Sequence, residues 1–309
     1  MITIKEIDLK MTTITESYNV SEFFNFIEKS KKITIISHIN PDGDSVGSTV
    51  AMQRFLTLYF EKEVRILMPN SYPEYLSFLD LDKRIIICDK QRELAQVELE
   101  KTQLIICMDF NHLSRVELIT NLIEKSNANK ILIDHHPNPQ EDVFDLTISD
   151  VQASSTCELT FFIIKKIVDN IDYHKLLPAT LTISKLSKSV AEALYVGLMT
   201  DTNNFSNSVR WETFYMACEL MKTGIDKESI QNIVFASFSL ERMRLMGHLL
   251  SNKMIVYPQY NAAILLLSKK DQKRYNLKDG DSEGFVNMPL QIKGINISAL
   301  FTEKEDYIR

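Results

Sequence analysis

The sequence predicts an α/β protein: a doubly wound, mainly parallel sheet followed by a smaller, incomplete α/β domain. Three observations carry that expectation. Over about the first 200 residues, short β-branched runs alternate with amphipathic stretches. Several of these runs are apolar throughout, as strands covered by helices on both faces are. Acidic and histidine side chains gather just past the ends of the runs, the edge at which open α/β sheets keep their ligands.

The candidate strands are "ITIIS" (33–37), "VRILM" (64–68), "RIIIC" (84–88), "LIICMD" (104–109), "KILID" (130–134) and "LTIS" (146–149). Between them, "SVGSTVAMQRFLTLYF" and "LSRVELITNLIEK" place apolar residues three and four apart, which is the period of a helix. From about 155 to 250 the pattern turns helical, through "SSTCELTFFIIKKIVDN", "SVAEALYVGLMTDTNNF", "WETFYMACELMKTG" and "SLERMRLMGHLL". A hairpin-like "KMIVYPQYNAAILLLS", the polar "KKDQKRYNL" and "GINISALFTEKED" then suggest a second small α/β domain beginning near 240.

Composition narrows the classes of function. With 309 residues, 45% hydrophobic and 25% charged, the chain can bury roughly two cores. No apolar run approaches the ~20 residues that span a bilayer. The opening "MITIKEIDLKMTTITES" lacks a signal-peptide pattern, so no membrane partner and a cytoplasmic location are expected. Cys88, Cys107, Cys157 and Cys218 form no CxxC pair and are expected as reduced thiols. The net charge of −6 gives no general attraction for nucleic acid, so long duplexes are not expected partners. The compact basic run "KKDQKR" (269–274) reads as a solvated helix face.

Four clusters of chemistry share one placement. They are His38, Asp42 and Asp44 in "ISHINPDGDSVGS", a turn holding Pro41 and Gly43; Asp109 closing "LIICMD"; Asp134, His135 and His136 closing "KILIDHH"; and Asp201 after the helical "EALYVGLMTD". Each has an ordinary alternative. "PDGD" is a common turn, Asp109 could cap the next helix although Ser114 is better placed, "DHH" could be a plain loop, and Asp201 could merely end a helix. Together these alternatives would need four coincidences of position. In a parallel sheet the strand ends face one edge, and Asp42, Asp44, Asp109 and Asp201 would bring four negative charges into one cleft. Like charges that close disfavour ionisation. Two divalent cations would cancel them, and imidazole with carboxylate suits manganese, with magnesium, cobalt, iron and zinc as alternatives. Two metals roughly 3.5–4 Å apart can clamp a phosphoryl group.

"SHINPDGDSVGS", "MDFNHLSRV", "LIDHHPNP" and "YVGLMTDTNNF" resemble, in order, the four motifs of the DHH phosphoesterase superfamily, over roughly residues 20–235. The first motif and the C-terminal portion are most similar to the oligoribonuclease/pAp phosphatase branch, which carries a DHHA1-type second domain. The resemblance implies a catalytic domain over 1–235, a helical linker over 236–252 and a partial DHHA1-type substrate-binding domain over 253–309. It implies that His38 and Asp42 hold one metal, that Asp44, His135 and Asp201 hold the other, and that Asp109 bridges both. His136 would position substrate or transfer a proton, Asp134 would orient the histidines beside it, and Arg115 would meet a phosphate. His112 and His248 fall outside the motifs and are expected to be structural. The implied reaction is attack by a hydroxide activated between two divalent metals, manganese first. It would be of 3′–5′ oligoribonuclease and 3′,5′-bisphosphate nucleotidase type. The implied substrates are a small nucleotide such as 3′-phosphoadenosine-5′-phosphate (pAp) or a short oligoribonucleotide, and a homodimer is compatible with the pattern. The glycine-rich "GGGH"-like signature of the branch is absent, and truncation after "INISALF" is the expectation. Inorganic pyrophosphatase, exopolyphosphatase, cyclic-dinucleotide phosphodiesterase and a non-catalytic nucleotide-binding module are the alternatives.

Overall fold

In the computed structural model, residues 18–169, 186–236, 238–278, 281–282 and 284–309 are described; the N-terminal stretch read above and Asn170 lie outside them. Two compact units divide between Val234 and Phe235.

The first unit is built on six parallel strands: β1 (Lys32–Ile36), β2 (Glu63–Met68), β3 (Ile85–Ile87), β4 (Leu104–Met108), β5 (Asn129–Asp134) and β6 (Leu146–Ser149). Their order is β3-β2-β1-β4-β5-β6. All adjacent pairs run parallel, with Ile36 level with Cys107 across the central pair. β1 and β4 sit where the winding reverses. The loops leaving them therefore diverge to opposite faces and open a crevice at the carboxyl edge.

Helices cover both faces, which is why β4 is buried at every position. One layer comprises α1 (Val20–Lys29), α2 (Gly43–Phe60), α5 (Thr156–Asp169) and α6 (Lys188–Asp201), and the tightest packing is between α2 and α6. The other comprises α3 (Arg92–Lys101), α4 (Thr120–Lys125) and the 3-10 segment Leu113–Ile119, which bury Ala95, Leu99, Val116, Ile119 and Ile123 against Ile36, Ile105 and Leu132. The helix expected over "LSRVELITNLIEK" is thus two pieces, because the backbone breaks at Glu117 (φ 19°, ψ −74°). The cap there is His112, whose Nδ1 accepts from the Ser114 amide, and not Ser114. Two further helices, α7 (Trp211–Lys222) and α8 (Lys227–Phe235), complete the run.

The second unit contains α9 (Leu240–His248), β7 (Met254–Tyr257), β8 (Ala262–Leu267), α10 (Lys269–Arg274) and β9 (Ile297–Thr302). β8 pairs antiparallel with β7 and parallel with β9. Its core joins Leu245 and Leu249 to Leu265, Leu267 and Phe285. Residues 236–252, expected as a linker, therefore supply part of this core. His248 is structural, with Nε2 3.1 Å from buried Asp271 Oδ1.

Candidate metal centre and active site

All the candidate residues except Arg115 converge at the carboxyl edge of the parallel sheet. Ser37, buried at the end of β1, bonds to Ser45 Oγ and to the Met108 carbonyl, which locks the ends of β1 and β4 together. The loop then passes through His38 and through Asn40 in a left-handed conformation (φ 55°), which asparagine tolerates better than most residues. Asp42 Oδ1 accepts from the amides of Asp44 and Ser45 at 3.1 and 3.0 Å, so Asp42 is the N-cap of α2 and leaves its second oxygen uncommitted. Gly43, read above as part of a turn, is instead the first residue of that helix. Its requirement is space, because a Cβ there would strike the Thr200 side chain.

Asp109 follows β4 at φ 66°, a left-handed conformation costing about 1 kcal/mol or more that clusters at functional sites. Its amide still donates to the Ile133 carbonyl at 3.1 Å, so the turn is anchored to β5. Thr156 Oγ1 donates to its Oδ1 at 2.9 Å. Asp44, fully buried, accepts from the amides of Thr156 (2.6 Å) and Cys157 (2.9 Å) at the start of α5.

Each of the three histidines has Nδ1 occupied. His38 Nδ1 lies 2.8 Å from the Ile39 carbonyl, His135 Nδ1 3.3 Å from the Ala153 carbonyl, and His136 Nδ1 2.7 Å from Asp134 Oδ1. A carbonyl only accepts, so Nδ1 carries a proton in the first two, and each ring turns its Nε2 to the cleft. His38 Nε2 is 3.4 Å from Asp109 Oδ2. His135 Nε2 is 3.3 Å from Asp201 Oδ2, 3.8 Å from Asp109 Oδ1 and 4.0 Å from Asp44 Oδ2. Asp134 holds only His136, and a main-chain carbonyl does the same for His135.

Ligand-type atoms within 4.8 Å of one another form three groups: His38, Asp42 and Asp109; Asp44, His135 and Asp201; and Asp109, His135 and His136. Asp109 belongs to two of them, with one oxygen facing His38 and the other facing His135. Arg115 is exposed and enters only through its main chain, its carbonyl accepting from the Ile39 amide at 2.8 Å.

The electrostatics suit cations. Burial first, then the charges of Asp109 and Asp42, push the Asp44 carboxyl well above the usual carboxylate range. Burial and then Asp42, Asp201 and Asp134 do the same to Asp109. Asp201 is pushed up to about 9 by burial and then by Asp44 and Asp42. Burial and then His136 hold His135 below the ordinary histidine value. Three carboxylates that resist ionisation alone, beside the imidazole of His135 held below its ordinary value, make an oxygen–nitrogen donor set matched to divalent cations. Asp134 Oδ2 adds a buried oxygen with no hydrogen-bond partner among the described residues.

Glycines set the spacing of the two clusters. A Cβ on Gly197 would meet Cys157 Sγ and Asp44 Oδ1, and one on Gly47 would lie 2.6 Å from the Ala193 carbonyl. Close approach of α2 and α6 is what brings Asp201 to Asp44. The sequence did not single out Thr156, Ala153, Glu158 or Arg210; the first two bond directly to candidate ligands.

A six-stranded parallel sheet with shared carboxylate–imidazole clusters at its switch point belongs to the class of phosphoester hydrolases. Residues 32–198 match the DHH family, N-terminal domain, and the chain belongs to the DHH family. It is 29% identical over 277 residues to the probable bifunctional oligoribonuclease and PAP phosphatase NrnA of Streptococcus mutans, covering 89% of this chain and 78% of that protein. It is 26% identical over 295 residues to the bifunctional oligoribonuclease and PAP phosphatase NrnA of Mycoplasma genitalium, covering 93% and 81%. Among solved structures, an exopolyphosphatase-related protein from Bacteroides fragilis matches with a TM-score of 0.83 and 38% identity, over 94% of this chain and 81% of that one.

Proposed function

We propose that this phosphoesterase hydrolyses phosphate esters of small nucleotides such as pAp, and of short oligoribonucleotides, with two divalent cations, manganese first. The observation that carries the reading is the shared position of Asp109, itself held above the ordinary carboxylate range by burial and then by Asp42, in two groups of carboxylate and imidazole ligand atoms. His38 and Asp42 would hold one cation, Asp44, His135 and Asp201 the other, and Asp109 both. When bound, the cations would neutralise the carboxylates and polarise the phosphoryl oxygens. In a chain of net charge −6 they also supply the positive charge that retains a phosphate.

The protein's own groups then have defined tasks. The Nε2 edges of His38 and His135 are pre-oriented by main-chain carbonyls at Nδ1, so ligation demands no rearrangement of either ring. His136 is the most exposed of the three imidazoles, with 37% of its side chain accessible, and its ring is oriented by Asp134 Oδ1 2.7 Å from Nδ1. It is therefore suited to hold a proton at Nε2 for the departing ribose oxygen. Arg115, exposed beside the loop it anchors, is suited to meet a substrate phosphate. Support for the nucleotide class comes from the two relatives described as oligoribonuclease and PAP phosphatase. The Bacteroides fragilis protein, described as exopolyphosphatase-related, makes polyphosphate the substrate to test beside them.

The test is an assay of the manganese-loaded chain on pAp, a diribonucleotide and polyphosphate, with Asp109→Ala as control. Manganese-dependent release from pAp or the dinucleotide, abolished in the control, is expected. Release from polyphosphate alone would replace the nucleotide reading, and no hydrolysis of any of the three with any divalent metal would sink the catalytic one.

A further inference from the structure

The segment Asp150–Glu158 reaches three candidate ligands that come from three different elements. The Ala153 carbonyl fixes the ring of His135; the amides of Thr156 and Cys157 hold both oxygens of Asp44; and the Thr156 hydroxyl fixes Asp109. The last contact sets the rotation of the carboxylate. With Oδ1 held by Thr156 and turned toward His135, Oδ2 is left facing His38 at 3.4 Å. At 2.9 Å the Thr156 hydroxyl makes the shortest of the side-chain contacts given above for Asp109, the imidazoles lying at 3.4 Å or more.

That segment is clamped from outside the centre. Glu158 is completely buried. Its Oε2 accepts from Ser154 Oγ at 2.6 Å and Thr213 Oγ1 at 2.7 Å, while its Oε1 accepts from Arg210 Nε at 2.8 Å and lies 2.6 Å from Arg210 Nη2. Arg210 Nη2 also reaches Asp150 Oδ2 at 3.5 Å, and that oxygen accepts from Tyr18 at 2.8 Å. Both ends of the segment are thereby tied to one guanidinium at the start of α7. A buried ion pair contributes little net stability against an apolar equivalent, whereas it does fix geometry. Nothing in the core of this unit needs a charge at position 158.

We propose that Thr156, together with the Glu158–Arg210 pair that immobilises its segment, positions Asp109, Asp44 and His135 for cation binding, with Thr156 selecting which carboxylate oxygen of Asp109 addresses each cluster. These are positioning residues, and the proposal rests on the metal reading above. Outer partners of metal ligands commonly change affinity by about 10- to 100-fold when removed.

The test is manganese affinity by calorimetry, with the manganese electron paramagnetic resonance spectrum of each bound form. Thr156→Val keeps the shape and removes the hydroxyl; about 10- to 100-fold weaker binding and an altered spectrum are expected. Thr156→Ser should return affinity to within about threefold of wild type, since it restores the donor. Thr160→Val is the matched control: Thr160 lies one turn along the same helix with its hydroxyl buried and without a hydrogen-bond partner among the described residues, and no change in affinity is expected. Arg210→Gln, which loosens the clamp from outside α5 by removing the guanidinium from Glu158, should weaken binding about tenfold. Wild-type affinity in Thr156→Val, an equal loss in Thr160→Val, or failure of serine to restore binding would overturn the proposal. If the valine variant does not fold, Arg210→Gln decides, and unchanged affinity there overturns it. A wild-type chain that binds no divalent cation overturns the metal reading and this proposal with it.

Discussion

Asp109 shows how much a single residue is asked to do. It holds a left-handed backbone, is nearly fully buried, and faces a different imidazole with each oxygen. Asp44, Asp109 and Asp201 bind protons more tightly in the fold than in the unfolded chain, where an aspartate titrates near 4. The folded state therefore carries the extra protons, and their stabilising contribution is complete below about pH 4 and lost as pH rises through the folded values, about 9 for Asp201. Metal-free protein should accordingly lose several degrees of melting temperature between pH 5 and pH 9, while saturating manganese should flatten that slope. Thermal denaturation with chelator or with manganese measures this, and parallel slopes in the two conditions would refute it. His136 makes a separable prediction. His136→Asn should lower kcat by about 10²- to 10⁴-fold, the usual worth of a positioned acid or base, while manganese stoichiometry stays at the wild-type value.

At the scale of elements, the packing of α2 against α6 governs the distance between clusters. Gly197→Ala would drive a methyl into Cys157 and Asp44, so about 1–3 kcal/mol of destabilisation and weaker manganese binding are expected. Gly247→Ala, in α9 with nothing within 4 Å of the new Cβ, should instead stabilise by about 0.5–1 kcal/mol. Denaturant titration of both variants gives the comparison, and a similar response from the two would remove the steric argument. Several strands were legible because they are continuous apolar runs, a consequence of burial on both faces as in β4, while β6, which alternates in burial, still matches at both ends. The helix over 113–125 was not, because periodicity reports an apolar face and is blind to the backbone break at Glu117. α3 was missed because only Ala95 and Leu99 are buried in it, which leaves a weak stripe. Among site residues, His38, Asp42, Asp44, Asp109, His135 and Asp201 announce themselves by type and by position at strand or helix ends. Thr156 and Ala153 do not, since a hydroxyl in a helical stretch and a main-chain carbonyl carry no signal until the fold brings them to their partners. Glu158, the one charged residue in the apolar first half of α5, was the available clue to a buried pair, and Arg210 gave none.

For the whole molecule, the carboxyl edge of one parallel sheet gathers groups that are 163 residues apart in sequence, from His38 to Asp201 (201 − 38 = 163). The reversal of winding between β1 and β4 does the gathering, and the acid collected there is held above its ordinary range by burial and by its own charges. No helix among the described residues is long and apolar enough to cross a membrane. The sharing of Asp109 by two cations, proposed above, is read out by manganese stoichiometry combined with the paramagnetic resonance spectrum of the loaded protein. Two manganese ions per chain, with an exchange-coupled spectrum that collapses to an uncoupled one in Asp109→Asn, is the predicted result. A single ion per chain, or two ions without coupling in the wild-type protein, would contradict it.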